Sequence, residues 1–127
     1  MHTHRLMLMI GFVLVGLGFS GTLVADSQQD VTLQEIDHLL NFVANTSCQY
    51  DRNGTIHTGP EARDHINMKY EYYKKKVKTA EDFIEYSATK SKISGRRYKI
   101  NCTGEESVNA SDWLLQELQA FREGQLD

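Results

Sequence analysis

His57, Glu61 and His65 fall within nine residues of one another. Two imidazoles and a carboxylate at that spacing could hold a zinc or copper ion, or move a proton. On a helix, Glu61 and His65 share one face at i, i+4. The spacing matches no established ligand signature, however, and a third firm ligand is missing. No metal and no cofactor is therefore expected, and the plainer reading of His65, next to an apolar stripe, is a hydrogen-bonded core histidine. Ser87-Ala88-Thr89-Lys90 repeats the Ser-x-x-Lys of penicillin-binding proteins and β-lactamases, where Lys activates Ser one turn away. A chain of 127 residues is far too short for that fold, and the Ser-Asp-Asn and Lys-Thr-Gly partners are absent.

A wider polar set carries more weight. It comprises Arg52, Asn53, His57, His65, Lys69, Ser91, Ser94 and Tyr98. Arg52 and Lys69 could hold an anion, with His65 and the serines donating hydrogen bonds. A purely structural account is also open. In it Asn53-Gly54 makes a turn, Gly95 lets the chain reverse, and Arg52 pairs with a local acid.

The elements that must position these residues follow from apolar spacing. Asp26–Val31 reads as a disordered leader. Thr32 and Glu35 form a capping box for a first helix, with Leu33, Ile36, Leu39, Leu40 and Val43 as its apolar stripe. Asn53-Gly54, a dipeptide tolerant of positive φ, predicts a hairpin of about residues 47–52 and 55–58. Pro60 and Glu61 open a second helix over about 60–77, with Ala62, Ile66, Tyr70, Tyr73 and Val77 inward and Lys74–Lys76 at its carbonyl end. Thr79 caps a third helix with Ala80, Phe83, Ile84 and Ala88 inward. Residues 97–102 read as a strand that puts Tyr98, Ile100 and Cys102 on one face. Gly104–Asn109 reads as a loop. Asn109 or Ser111 then starts a last helix with Leu114, Leu115, Leu118 and Phe121 inward and Gly124 as its stop. The order is α-β-β-α-α-β-α. It describes an α+β domain over residues 32–124, with four helices packed on a small antiparallel sheet made of the hairpin and one later strand.

The compartment is read from the first 25 residues. Arg5 gives a positive end, Leu6–Phe19 is an apolar and glycine run, and Leu23-Val24-Ala25 is small enough for a cleavage site. That is the layout of an export signal cut after Ala25, and the run is shorter than the roughly 20 residues that span a bilayer. The exported part is thus expected not to be embedded in a membrane. Two thiols, Cys48 and Cys102, then enter an oxidising compartment and most simply pair, with two buried free thiols as the alternative. A bridge would leave no thiolate for a Cys-His nucleophile. Losing Arg5 takes the net charge from −3 to −4, which argues against nucleic acid as a partner. The charge is segmented: net −5 over residues 26–68, +6 over 69–99 and −5 over 100–127. The middle could meet an anionic partner, or be a solvated face neutralised by its neighbours. Asn45, Asn53, Asn101 and Asn109 each begin a glycosylation triplet, which has meaning only in a eukaryotic secretory path.

Four motifs in order carry a family resemblance: Tyr50-x-Arg52-Asn53-Gly54-x-x-His57, Ala62-x-x-His65-x-x-x-Lys69, Thr79-Ala80-Glu81-Asp82-Phe83-Ile84 and Ser91-x-x-Ser94-Gly95-x-x-Tyr98. Together they closely resemble the YfeK-like proteins over about residues 32–120. The resemblance implies a small exported protein of Gram-negative bacteria, located in the periplasm. It carries over no catalytic or binding residue, since the family has no assigned function. Some members of that group lack this cysteine pair, which would make the bridge a staple and not the site. The expectation is a non-enzymatic periplasmic binding or interaction module whose partner is an anionic envelope component or a periplasmic protein. Two alternatives stay open: a small metal-dependent or hydrolytic enzyme using His57 and His65, and an inhibitor of an envelope enzyme acting through the Asn53-Gly54 tip.

Overall fold

A computed structural model describes Gly11, Gly16 and residues 20–126. The chain forms α1 (Ser20–Ala44), β1 (Gln49–Arg52), β2 (Thr55–His57), α2 (Gly59–Tyr73), α3 (Ala80–Ala88), β3 (Lys99–Asn101), β4 (Val108–Asn109) and α4 (Ala110–Gly124), with a short 3-10 turn at Lys74–Lys76. The fold is α+β, as the apolar patterning predicts. Four helices pack on one antiparallel sheet of strand order β2-β1-β3-β4.

The hairpin forms where Asn53-Gly54 places it. Both residues take positive φ (57° and 87°), and Arg52 faces Thr55 across the turn. That backbone matches the right-handed strand twist and needs residues that tolerate left-handed conformations. Gly54 N donates to Asp51 Oδ1 at 2.8 Å and closes the tip. Gln49 pairs with Asn101, so Cys48 and Cys102 lie opposite each other one step beyond the register. They form a disulfide, with their Cα atoms 4.4 Å apart.

The core lies between the sheet and the helices. Leu39, Val43, Ile66, Phe83, Ile100 and Leu114 are all within 1% of full burial. Tyr98 and Ile100 turn inward together, as period two demands. α1 and α2 are antiparallel neighbours, joined where Gly59 meets the end of α1. A β-carbon on Gly59 would lie 2.6 Å from the Val43 carbonyl oxygen and 2.9 Å from that of Ala44.

Several expectations need correction. The leader over residues 26–31 is helical, because α1 runs back to Ser20 without a proline to stop it. Thr32 therefore cannot cap: its Oγ1 donates to the Gln28 carbonyl at 3.0 Å, a mid-helix back-bond. Its intended partner Glu35 turns instead to Arg122. The segment Gly104–Asn109 is not all loop. Gly104, at φ 78°, reverses the chain so that Val108 pairs with Ile100 and Asn109 with Lys99, which adds the fourth strand. Helix α2 stops at Tyr73 and tightens into the Lys74–Lys76 turn, with Val77 N donating to the Lys74 carbonyl. Leu115 is 41% exposed and not inward, because α4 buries the narrower stripe of Ala110, Leu114 and Leu118. Residues 1–19, apart from Gly11 and Gly16, lie outside the described residues, and with them most of the proposed export signal. Among the described residues no helix is long and apolar enough to cross a membrane.

Candidate functional site

The inner face of the hairpin and one edge of α2 build the site. Tyr50 and Arg52 share a face of β1 by period two, and Tyr50 faces both His57 on β2 and Ile100 on β3. Tyr98 lies on the same face, two residues before Ile100, with its ring 5.8 Å from that of Tyr50. α2 lies across this face. Its capping box fixes the start: Glu61 N donates to Thr58 Oγ1 at 3.4 Å, and Thr58 N and Oγ1 both donate to Glu61 Oε1. Ala62, Ile66 and Tyr70 are then buried, and His65 and Lys69 flank them toward the sheet.

The cations converge on His65. Burial lowers its pKa first, and the charges of Arg52, Lys69 and His57 lower it further, to about 4. His65 is thus neutral at physiological pH, with one donor and one acceptor. Lys69 is held firmly. Its Nζ donates to the Lys90 carbonyl at 2.9 Å and to the Tyr98 hydroxyl at 3.2 Å, and it stands 4.9 Å from the Tyr98 ring centroid. An ammonium has three donors, so one stays free. Tyr50 is 1% exposed, and burial raises its pKa, so the phenol keeps its proton.

Three buried polar atoms of this face have no hydrogen-bond partner: Tyr50 OH, Arg52 Nε and His57 Nε2. Such atoms cost about 1–3 kcal/mol each when unsatisfied. The expectation that Arg52 pairs with a local acid is not met. Among the described residues no carboxylate oxygen lies within 4.0 Å of Arg52 or Lys69. Asp51 is next in sequence, but its carboxylate accepts from the Gly54 amide.

The eight residues singled out in the sequence divide into two groups. Arg52, His57, His65, Lys69 and Tyr98 gather at one place. Asn53, Ser91 and Ser94 do structural work beside it. Ser94 Oγ donates to Asn53 Oδ1 at 2.9 Å, which ties the hairpin tip to the turn after α3. Ser91 Oγ accepts from the Ile93 and Ser94 amides, both at 3.3 Å, and so shapes that turn. Gly95 takes φ 73° in it. Tyr50 joins the first group from β1, two residues before Arg52 and opposite His57, a place that period two gives it although its residue type does not mark it as a ligand-binding group. His57 Nδ1 lies 3.5 Å from Glu61 Oε2, but no set of three metal-ligating side chains forms among the described residues. The thiols are bridged, so neither can serve as a nucleophile.

Fold and site together define a small α+β domain stapled by one disulfide, with a cationic, half-buried polar patch between hairpin and helix. The chain belongs to DUF5329, a family of unknown function, which it matches over residues 30–122. No curated protein and no solved structure matches it.

Proposed function

We propose that this chain is an exported, periplasmic binding module that captures an anionic group at the Arg52–His65–Lys69 patch. One observation carries this reading. Two cations, Arg52 and the tethered Lys69, bear on the same neutral imidazole, and no carboxylate balances them within ion-pair distance among the described residues. An anion seated there would accept from the free donor of Lys69 and from Arg52, and charge-assisted bonds of this kind are the strong ones. Tyr50 and His57 could satisfy their buried polar atoms on the same ligand. The leader through Ala25, the disulfide and the YfeK-like motifs all support export to the periplasm. The binding reading is favoured over the enzyme alternative because the patch offers positive charge and donors without a nucleophile–base pair. The inhibitor alternative has less support, since the Asn53-Gly54 tip is tied down by Ser94.

Titration with inorganic phosphate, followed by amide chemical shifts, tests the reading. Shifts confined to the residues around Arg52, His65 and Lys69, and lost in Arg52→Gln, are expected. Shifts scattered over the lysine-rich surface, or none, would remove it.

A further inference from the structure

The unpartnered groups of the Arg52–His65–Lys69 patch differ in what they require of a ligand. Arg52 Nε carries a hydrogen and can only donate it. Tyr50 keeps its phenol proton and can donate that, and Lys69 has one ammonium hydrogen left after the Lys90 carbonyl and the Tyr98 hydroxyl. His57 is different. Its Nδ1 lies 3.5 Å from Glu61 Oε2, and that carboxylate is anchored, since Glu61 Oε1 accepts from both Thr58 N and Thr58 Oγ1. A carboxylate against Nδ1 favours the tautomer with its proton there. His57 Nε2 is then a bare lone pair, buried and without a partner. It needs a hydrogen that the protein does not give it.

The strand register brings these groups to one face. Tyr50 stands opposite His57, and Arg52 follows Tyr50 by two residues on the same side of β1. Tyr50 is 1% exposed, so its unpaired hydroxyl lies inside the protein and not in solvent. The charge of Arg52 is felt by the Tyr50 phenol and by His65 alike. Tyr50 OH and His57 Nε2 leave each other unsatisfied, although they belong to directly paired residues.

We propose that the patch selects hydrogen phosphate, an oxyanion that still carries a proton, over sulfate, which has the same shape and charge and no proton. Arg52, Tyr50 and Lys69 supply donors from β1 and α2, and His57 supplies an acceptor from β2. Hydrogen phosphate presents three bare oxygens and one hydroxyl, which matches that set. A carboxylate presents two oxygens and no hydrogen, and sulfate presents oxygens alone. The selectivity rests on the anion reading of the patch and adds to it which anion is held.

Calorimetric titration of the protein with phosphate and with sulfate, at about pH 8 and equal ionic strength, is the test. At that pH the two anions carry the same double charge and differ by one proton. Phosphate should bind at least about tenfold more tightly, because sulfate would set an oxygen lone pair against His57 Nε2 and leave both unsatisfied. In His57→Phe that preference should collapse while sulfate binding holds, and an unchanged circular-dichroism melt would establish that the variant is folded. Equal binding of the two anions, both lost in Arg52→Gln, would overturn the selectivity and leave the anion site standing. Binding of neither would overturn the anion reading itself, and the selectivity with it. A preference that survives in folded His57→Phe would also overturn the proposal. If that variant does not fold, the ratio of the two affinities in the unsubstituted protein still decides.

Discussion

Lys69 stands on Tyr98: its ammonium lies 3.2 Å from the phenol oxygen and 4.9 Å from the ring centroid, across 29 residues of chain. The contact joins α2 to the residue just before β3 and fixes one cation of the patch in place. It also leaves Lys69 without a carboxylate partner among the described residues, so its charge is directed at His65 and at any anion that enters.

Arg52 and Lys69 should separate binding from stability. Arg52→Gln removes a cation that has no ion-pair partner among the described residues. It should weaken phosphate binding about tenfold or more while leaving the melting temperature nearly unchanged. Lys69→Met also removes the bonds to Tyr98 and the Lys90 carbonyl, so it should weaken binding and cost about 1 kcal/mol in addition. Calorimetric titration and urea unfolding on the same samples check both.

His65 predicts a pH dependence of defined sign. A histidine titrates ordinarily near 6.5, and this one is pushed down to about 4. The unfolded chain therefore takes up the proton first as pH falls. Stability should be unaffected by this group above pH 6.5, decline between about 6.5 and about 4, and level off below. His65→Gln should remove that part of the slope from urea midpoints measured across the range. The carboxylate losses at lower pH should stay.

Much of this was legible in the residues. Asn53-Gly54 announced the hairpin, period two put Tyr98 with Ile100, and Thr79 with its acids announced α3. Arg52, His57, His65, Lys69 and Tyr98 are legible as a group because helix and strand spacing fixes which side chains share a face. Long-range choices were not legible. Thr32 and Glu35 have the local form of a cap, but Glu35 lies 87 residues from the arginine that claims it. Val108 and Asn109 make a strand only because Gly104 folds them back onto β3. The serines look like donors by type, yet Ser94 is committed to Asn53, a contact that spans 41 residues.

Arg122 links three helices. Its guanidinium donates to Glu35 at 2.6 and 3.0 Å and to Glu81 at 2.7 and 3.2 Å. Glu35 is 6% exposed, so Arg122→Ala strands a buried carboxylate and should cost about 3 kcal/mol. Glu81 is exposed, and Glu81→Ala should cost less than about 1 kcal/mol. The bond from Arg122 also holds the Glu81 carboxyl below its ordinary value of 4.5, so its share of stability is lost as pH falls through that lowered value. Paired urea unfolding curves distinguish the two substitutions.

Two further sites test the frame. Reduction of Cys48–Cys102, which are 54 residues apart, should lower unfolding free energy by about 4 kcal/mol on the loop-entropy account. Gly59→Ala would press a methyl against the Val43 and Ala44 carbonyls, which are backbone and cannot swing aside. It should cost more than about 2 kcal/mol, as overpacking does. Denaturant unfolding with and without reductant, and of the variant, reads both.

The most direct test of the cationic patch is an imidazole nitrogen titration of His65 by NMR, with and without inorganic phosphate. A bound anion must offset the fields of Arg52 and Lys69, so the midpoint should move from about 4 toward the ordinary 6.5 when phosphate is added. The same shift should fail in Arg52→Gln. A His65 midpoint that is the same in the presence and absence of phosphate would contradict the account.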